Sequence, residues 1–128
     1  MRRKFCISAA FILLVLITAC NQQPDIDMSE ALEKSKGTLI EFDEIETAAA
    51  SFNGENDVKF RLKVEDEPTE EEAIILFNEV LDSITDSADH SELWQYYNAY
   101  FDIKSYDSGV IYEAIKHKEE EDFKYMLN

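Results

Sequence analysis

The sequence predicts a two-layer α+β fold. Its expected core is a four-stranded, mainly antiparallel sheet in ββαββ order, with one long helix packed on one face and a short helix before it. Three observations carry that expectation. Val58, Phe60, Leu62 and Val64 alternate with Lys59, Arg61 and Lys63, the period-2 pattern of a half-buried strand. Ala73, Leu76, Phe77, Val80, Leu81 and Ile84 recur at helical spacing behind Pro68-Thr69-Glu70-Glu71-Glu72, which reads as a helix start. The three glycines, Gly37, Gly54 and Gly109, all fall at expected stops or turns.

In chain order, the first expected element is a short helix over 29–37. Ser29 is its N-cap, Glu30 sits at the positive end, Lys34 and Lys36 at the negative end, and Gly37 is the stop. Asn53-Gly54-Glu55-Asn56 supplies a hairpin turn before the Val58–Val64 strand, so a partner strand ends near Phe52. Leu39, Phe42, Ile45, Ala49 and Phe52 also fit helical spacing, and Ala48-Ala49-Ala50 forms strands poorly. The hairpin favours a strand, with a bulge near Asp43. In the principal helix Thr69 and Glu72 form a capping box, and the helix runs to about Asp86. A loop over 86–91 follows, then an aromatic, β-prone stretch from Trp94 to Tyr106. Asp107-Ser108-Gly109 turns the chain into a last strand, Val110 to Ile115, followed by acidic Glu119-Glu120-Glu121-Asp122 and a short tail.

The chain start has a separate logic. Arg2, Arg3 and Lys4 precede the apolar run Phe5 to Ile17, and Thr18-Ala19-Cys20 closes it. A basic end, an apolar run of about 13 residues and a small-residue exit are the parts of a secretory signal. Ile17-Thr18-Ala19-Cys20 resembles the lipobox of bacterial lipoproteins. The resemblance implies diacylglyceryl transfer to the Cys20 thiol, cleavage after Ala19, and a protein held at the extracytoplasmic face of the cell membrane by lipid. Two or three acyl chains anchor far more firmly than one. On this reading residues 1–19 are signal, 20–28 are the lipidated cysteine and a polar tether, and 29–128 are one small domain. The tether reaches up to about 25–30 Å. Asn21, in place of Asp, removes the common inner-membrane retention mark of Gram-negative lipoproteins. Residues 29–128 have the general look of small surface lipoproteins of bacilli, without a motif that fixes a named family.

Composition excludes some functions. Loss of Arg2, Arg3 and Lys4 from the 12 basic residues leaves nine against 28 acidic ones, and moves the formal net charge from −16 to −19. A surface that acidic repels nucleic acid, so no nucleic-acid partner is expected. Cys6 lies in the signal and Cys20 carries lipid, so no internal disulfide is expected. No cofactor is expected either: phosphate-loop glycines and zinc-type Cys/His spacing are absent. His90 and His117 are the only histidines, and nothing marks a nucleophile beside them. The chain is therefore not expected to be an enzyme, and an envelope hydrolase ranks third among its readings. Asp86, Asp89, Glu92 and His90 would crowd one loop, but the EF-hand pattern is missing and a solvated acidic surface explains them. No metal site is assigned.

The remaining constellation is a sheet face. If Tyr97, Ala99, Phe101 and Ile103 point inward, Trp94, Tyr96, Asn98, Tyr100, Asp102, Lys104 and Tyr106 point outward. Lys59, Arg61 and Lys63 then share that outer face. The candidate binding face is Lys59, Arg61, Lys63, Trp94, Tyr96, Tyr100, Lys104 and Tyr106, suited to an envelope protein or a cell-wall glycan. The plainer alternative is lateral packing of ordinary exposed β residues, and inner and outer differ by a one-residue register choice. The leading expectation is thus a lipid-anchored, non-enzymatic binding or interaction module of the envelope. The alternative is a cation-binding or stress-related surface protein using its carboxylates.

Overall fold

The computed structural model describes residues 25–106 and 108–127. Cys20, the expected signal and the first part of the tether lie outside the described residues. Within them the order is α1 (Met28–Leu39), β1 (Ile45–Phe52), β2 (Asp57–Val64), α2 (Glu70–Ala88), a 3₁₀ turn (Leu93–Gln95), β3 (Asn98–Ser105), β4 (Gly109–Lys116) and β5 (Lys124–Leu127). The fold is α+β, with two helices against a mixed sheet of five strands in the order β1-β2-β3-β4-β5. No described helix is long and apolar enough to cross a membrane.

Three of the four strand pairings are antiparallel, in keeping with the expected mainly antiparallel sheet of four strands, and two details differ from it. β2 and β3 pair in parallel, Asp57 opposite Asn98 through Val64 opposite Ser105. Parallel neighbours need a crossover, which α2 supplies. Its 19 residues span about 28 Å, close to the ~26 Å of an eight-residue strand. The helix returns the chain to the level where β2 began, so β3 starts in step with it. The second correction is β5, antiparallel to β4. Its Tyr125 and Leu127 turn inward while Lys124 and Met126 face solvent, an alternation hidden behind the acidic run before it.

Local starts and stops follow their side chains. Thr69 Oγ1 accepts the Glu72 N–H at 3.2 Å, and Glu72 Oε1 accepts the Thr69 N–H at 3.0 Å, completing the expected capping box. α1 is capped by Asp27, whose carboxylate accepts the Glu30 N–H, rather than by Ser29. The reason is Met28, which is 2% exposed and packs as the first core residue of the helix. Gly37 lies inside α1, which runs on to bury Leu39. The bulge falls between Ile45 and Thr47, not near Asp43, with Glu46 as the extra residue.

The core lies between the helices and one sheet face. Phe60, Leu62, Phe101 and Ile103 from the central strands meet Phe77, Val80 and Ile84 of α2 and Leu32 and Leu39 of α1. Phe101 is a hub, with the rings of Phe60, Trp94 and Phe123 at 6.2, 6.2 and 5.6 Å. Edge-to-face and tilted pairs of this kind are the preferred packing of aromatic quadrupoles. Tyr112 ties β4 to the start of α2 by donating its hydroxyl to the Pro68 carbonyl at 2.7 Å.

Candidate functional site: the outer sheet face

Because both helices pack on one side, the opposite sheet face is left to solvent. Of the two phases open to β3, the structure takes the one in which Tyr97, Ala99, Phe101 and Ile103 are buried, while Tyr100, Asp102 and Lys104 turn outward. The parallel register sets Lys59 beside Tyr100, Arg61 beside Asp102 and Lys63 beside Lys104. β1 contributes only the small side chains Thr47, Ala49 and Ser51, and β4 contributes Glu113 and Ile115.

Two expected members do not belong to this face. β3 begins at Asn98, so the alternation does not extend back to Trp94 and Tyr96. Trp94 sits in the 3₁₀ turn, 7% exposed, with its ring against Phe101 and its Nε1 donating to Thr85 Oγ1 at 2.9 Å. Its indole fills the gap between α2 and the sheet, and its N–H finds the partner that burial requires. Tyr96 is half-buried with its ring edge-on to His90. Tyr106, in the turn after β3, is 66% exposed and lies under the Lys63 ammonium, 5.0 Å from ring centre to Nζ.

Each remaining side chain has a defined setting. Arg61 Nε and Nη2 donate to the two Asp102 carboxylate oxygens at 2.7 and 2.9 Å. This two-pronged pair, by hydrogen bond and by charge, holds the guanidinium even more firmly protonated than usual. Lys59 and Lys104 have no carboxylate within 4 Å among the described residues. Lys63 and Lys104 stand directly opposite each other as like charges, an arrangement that costs stability unless something offsets it. His117 adds a ring edge-on to Tyr100. Nothing in the sequence marks it for this face, because it lies beyond the expected last strand, Val110 to Ile115.

The short side chains of β1 leave a shallow trough of about 700 Å³ across this face, bordered by Ala49, Ser51, Lys59, Arg61, Tyr100 and Glu113. Charge is segregated around it. Of the nine basic residues beyond position 19, five (Lys59, Arg61, Lys63, Lys104 and Lys124) point to the outer face, against three of the 27 acidic ones among the described residues, Asp57, Asp102 and Glu113. Asp57 is occupied at the sheet end, accepting from Asn53 Nδ2 and Asn98 Nδ2.

Elsewhere the chemistry is sparse. His90 Nδ1 accepts the Glu92 N–H, and neither imidazole is hydrogen-bonded to a hydroxyl among the described residues. Among those residues no three His, Cys, Asp or Glu side chains gather closely enough to hold a metal ion. In comparisons with known proteins, the chain matches no protein-family model and no curated relative.

Proposed function

We propose that this protein is a lipid-anchored, extracytoplasmic interaction module that binds an anionic partner on its outer sheet face. The observation that carries the reading is the charge segregation: a strongly acidic molecule collects most of its cations on one open surface, two of them side by side. A row of cations spaced about 7 Å apart along β2, with Tyr100 and Tyr106 among them, suits repeated carboxylates or phosphates. The anchor half of the reading rests on Ile17-Thr18-Ala19-Cys20, which supplies the address but not the ligand. Such a face needs no cofactor.

One experiment with two arms tests both halves. Cys20→Ser with its signal removed is expected to move from the membrane to the soluble fraction with its fold unchanged; retention of that signal-free protein after a salt wash overturns the anchor. In the second arm, purified protein is titrated with poly-L-glutamate, with neutral dextran as control. The combined Lys59→Ala, Arg61→Ala and Tyr100→Ala variant is expected to bind at least about tenfold more weakly, the scale of losing one or two charge-assisted contacts. Equal binding by this variant, with an unchanged circular dichroism spectrum, refutes the face.

A further inference from the structure

We infer that the partner is an extended peptide strand that adds to the free edge of β1, with carboxylate side chains directed over the outer face and apolar ones beneath. This rests on the reading of that face as the binding surface and names its occupant.

The two edges of the sheet differ. β5 is four residues long and carries Lys124 outward, two of the usual guards against strand addition. β1 is eight residues long, and Thr47-Ala48-Ala49-Ala50-Ser51-Phe52 contains no charge and no proline. Its sole guard is the Glu46 bulge at one end. Six consecutive residues thus offer a template for a further strand.

The hydrogen-bonding phase of that edge is fixed. The Asn53 N–H donates to the Asp57 carbonyl at 3.2 Å, which makes 53/57 a bonded pair of the antiparallel ladder. Bonded and non-bonded pairs alternate. Ser51 opposite Lys59 and Ala49 opposite Arg61 are therefore bonded pairs, and the N–H and C=O groups of Ala48, Ala50 and Phe52 point away from β2. No hydrogen bond to another part of the described chain engages them.

Side chains set what kind of strand fits. On the outer side Ala49 and Ser51 are too short to block the trough. The outward side chains of an added strand would lie about 10 Å from β2, a span that a glutamate and a lysine close between them. They would meet the Lys59 ammonium, unpaired among the described residues, and the edge of the Arg61 guanidinium not engaged by Asp102. On the inner side the added strand would lie along half-buried Ala48, Ala50 and Phe52, whose ring packs edge-on to Tyr97 at 5.8 Å. Acidic residues alternating with apolar ones match both sides at once, which is the logic of β-strand addition with specificity from alternate side chains.

The test uses an end-capped peptide of alternating valine and glutamate, the same peptide with lysine for glutamate, and inorganic polyphosphate. The glutamate peptide is expected to bind and to slow amide exchange at Ala48, Ala50 and Phe52. Ala50→Pro removes one edge N–H without touching the β1–β2 ladder, a position where an edge strand tolerates proline. It is expected to weaken the peptide about tenfold and to leave polyphosphate binding unchanged. Should that variant misfold, Ala49→Glu sets a like charge in the trough and is expected to reject the same peptide. Combined Lys59→Ala and Arg61→Ala should erase the preference for glutamate over lysine. If Ala50→Pro and Ala49→Glu both bind the peptide like the wild type, with no protection along β1, the edge inference fails while the face stands. If neither peptide nor polyphosphate distinguishes the wild type from the Lys59, Arg61, Tyr100 triple variant, the face fails as well.

Discussion

The Glu72 carboxylate accepts the Thr69 N–H at the start of α2, and that bond, made to the ionised form, holds its pKa below the usual glutamate value. The sign of the consequence is fixed. A depressed native pKa means that the unfolded chain takes up the proton first as pH falls. The stabilisation is therefore complete above the ordinary glutamate pKa and is lost as pH drops through the native value below it. Glu72→Gln keeps an oxygen able to accept from Thr69 but carries no charge. Wild type should exceed it in urea-melt stability at pH 7, and the gap should be smaller at an acidic pH where Glu72 is protonated in the folded protein as well. An equal gap at both pH values would show that the ionised carboxylate contributes nothing. This residue pair was legible in the sequence because a capping box is a contact over three residues. Trp94 was not. Its neighbours in sequence suggest a strand, and its burial depends on Thr85 and Phe101, which only the fold brings to it.

At the scale of elements, α1 offers a direct test of how far local signals reach. Gly37 reads as a stop, yet α1 continues through it because Leu39 is drawn into the core at 1% exposure. A Cβ added at Gly37 meets nothing within 4 Å, and its φ is not positive. Gly37→Ala should therefore stabilise the protein by about 0.5–1 kcal/mol, the backbone entropy difference between the two residues in a helix. A melting temperature unchanged or lowered would mean that the last turn of α1 is not helical in solution. The strand β2 and the helix α2 were legible, since each is written in a period of two or 3.6 residues; the phase of β3 was not, because aromatic and apolar residues fall on both of its faces and a one-residue shift exchanges them. The parallel pairing of β2 with β3 was not, because it follows from matching the length of α2 to that of β2, a relation between elements. β5 was legible in principle: Phe123, Tyr125 and Leu127 alternate with Lys124 and Met126. Five residues after a run of acids make a weak signal, and the strand exists because β4 offers it an edge.

Over the whole molecule, charge is distributed in two opposing ways, and salt should separate them. The helical layer is dense in exposed carboxylates, including Glu30, Glu33, Glu70, Glu71, Glu79 and Asp82. Only two lysine pairs, Lys34 with Glu30 and Lys36 with Glu33, offset them among the described residues. Self-repulsion of that kind destabilises a compact state. At about 10 mM salt the screening length is ~30 Å, comparable with the length of α2, and at 150 mM it is ~8 Å. Raising sodium chloride over that range should therefore raise the melting temperature. The outer face has the opposite sign, so its attraction for poly-L-glutamate or an acidic strand should weaken over the same range. The Lys59, Arg61, Tyr100 triple variant should keep the first response and lose most of the second, because repulsion in the helical layer does not depend on those side chains. A melting temperature that falls with salt would contradict the self-repulsion argument. Binding of the anionic probes that strengthens with salt would mean that the cations of the outer face do not govern recognition, and that Tyr100, Ile115 and the other apolar surface of the trough do.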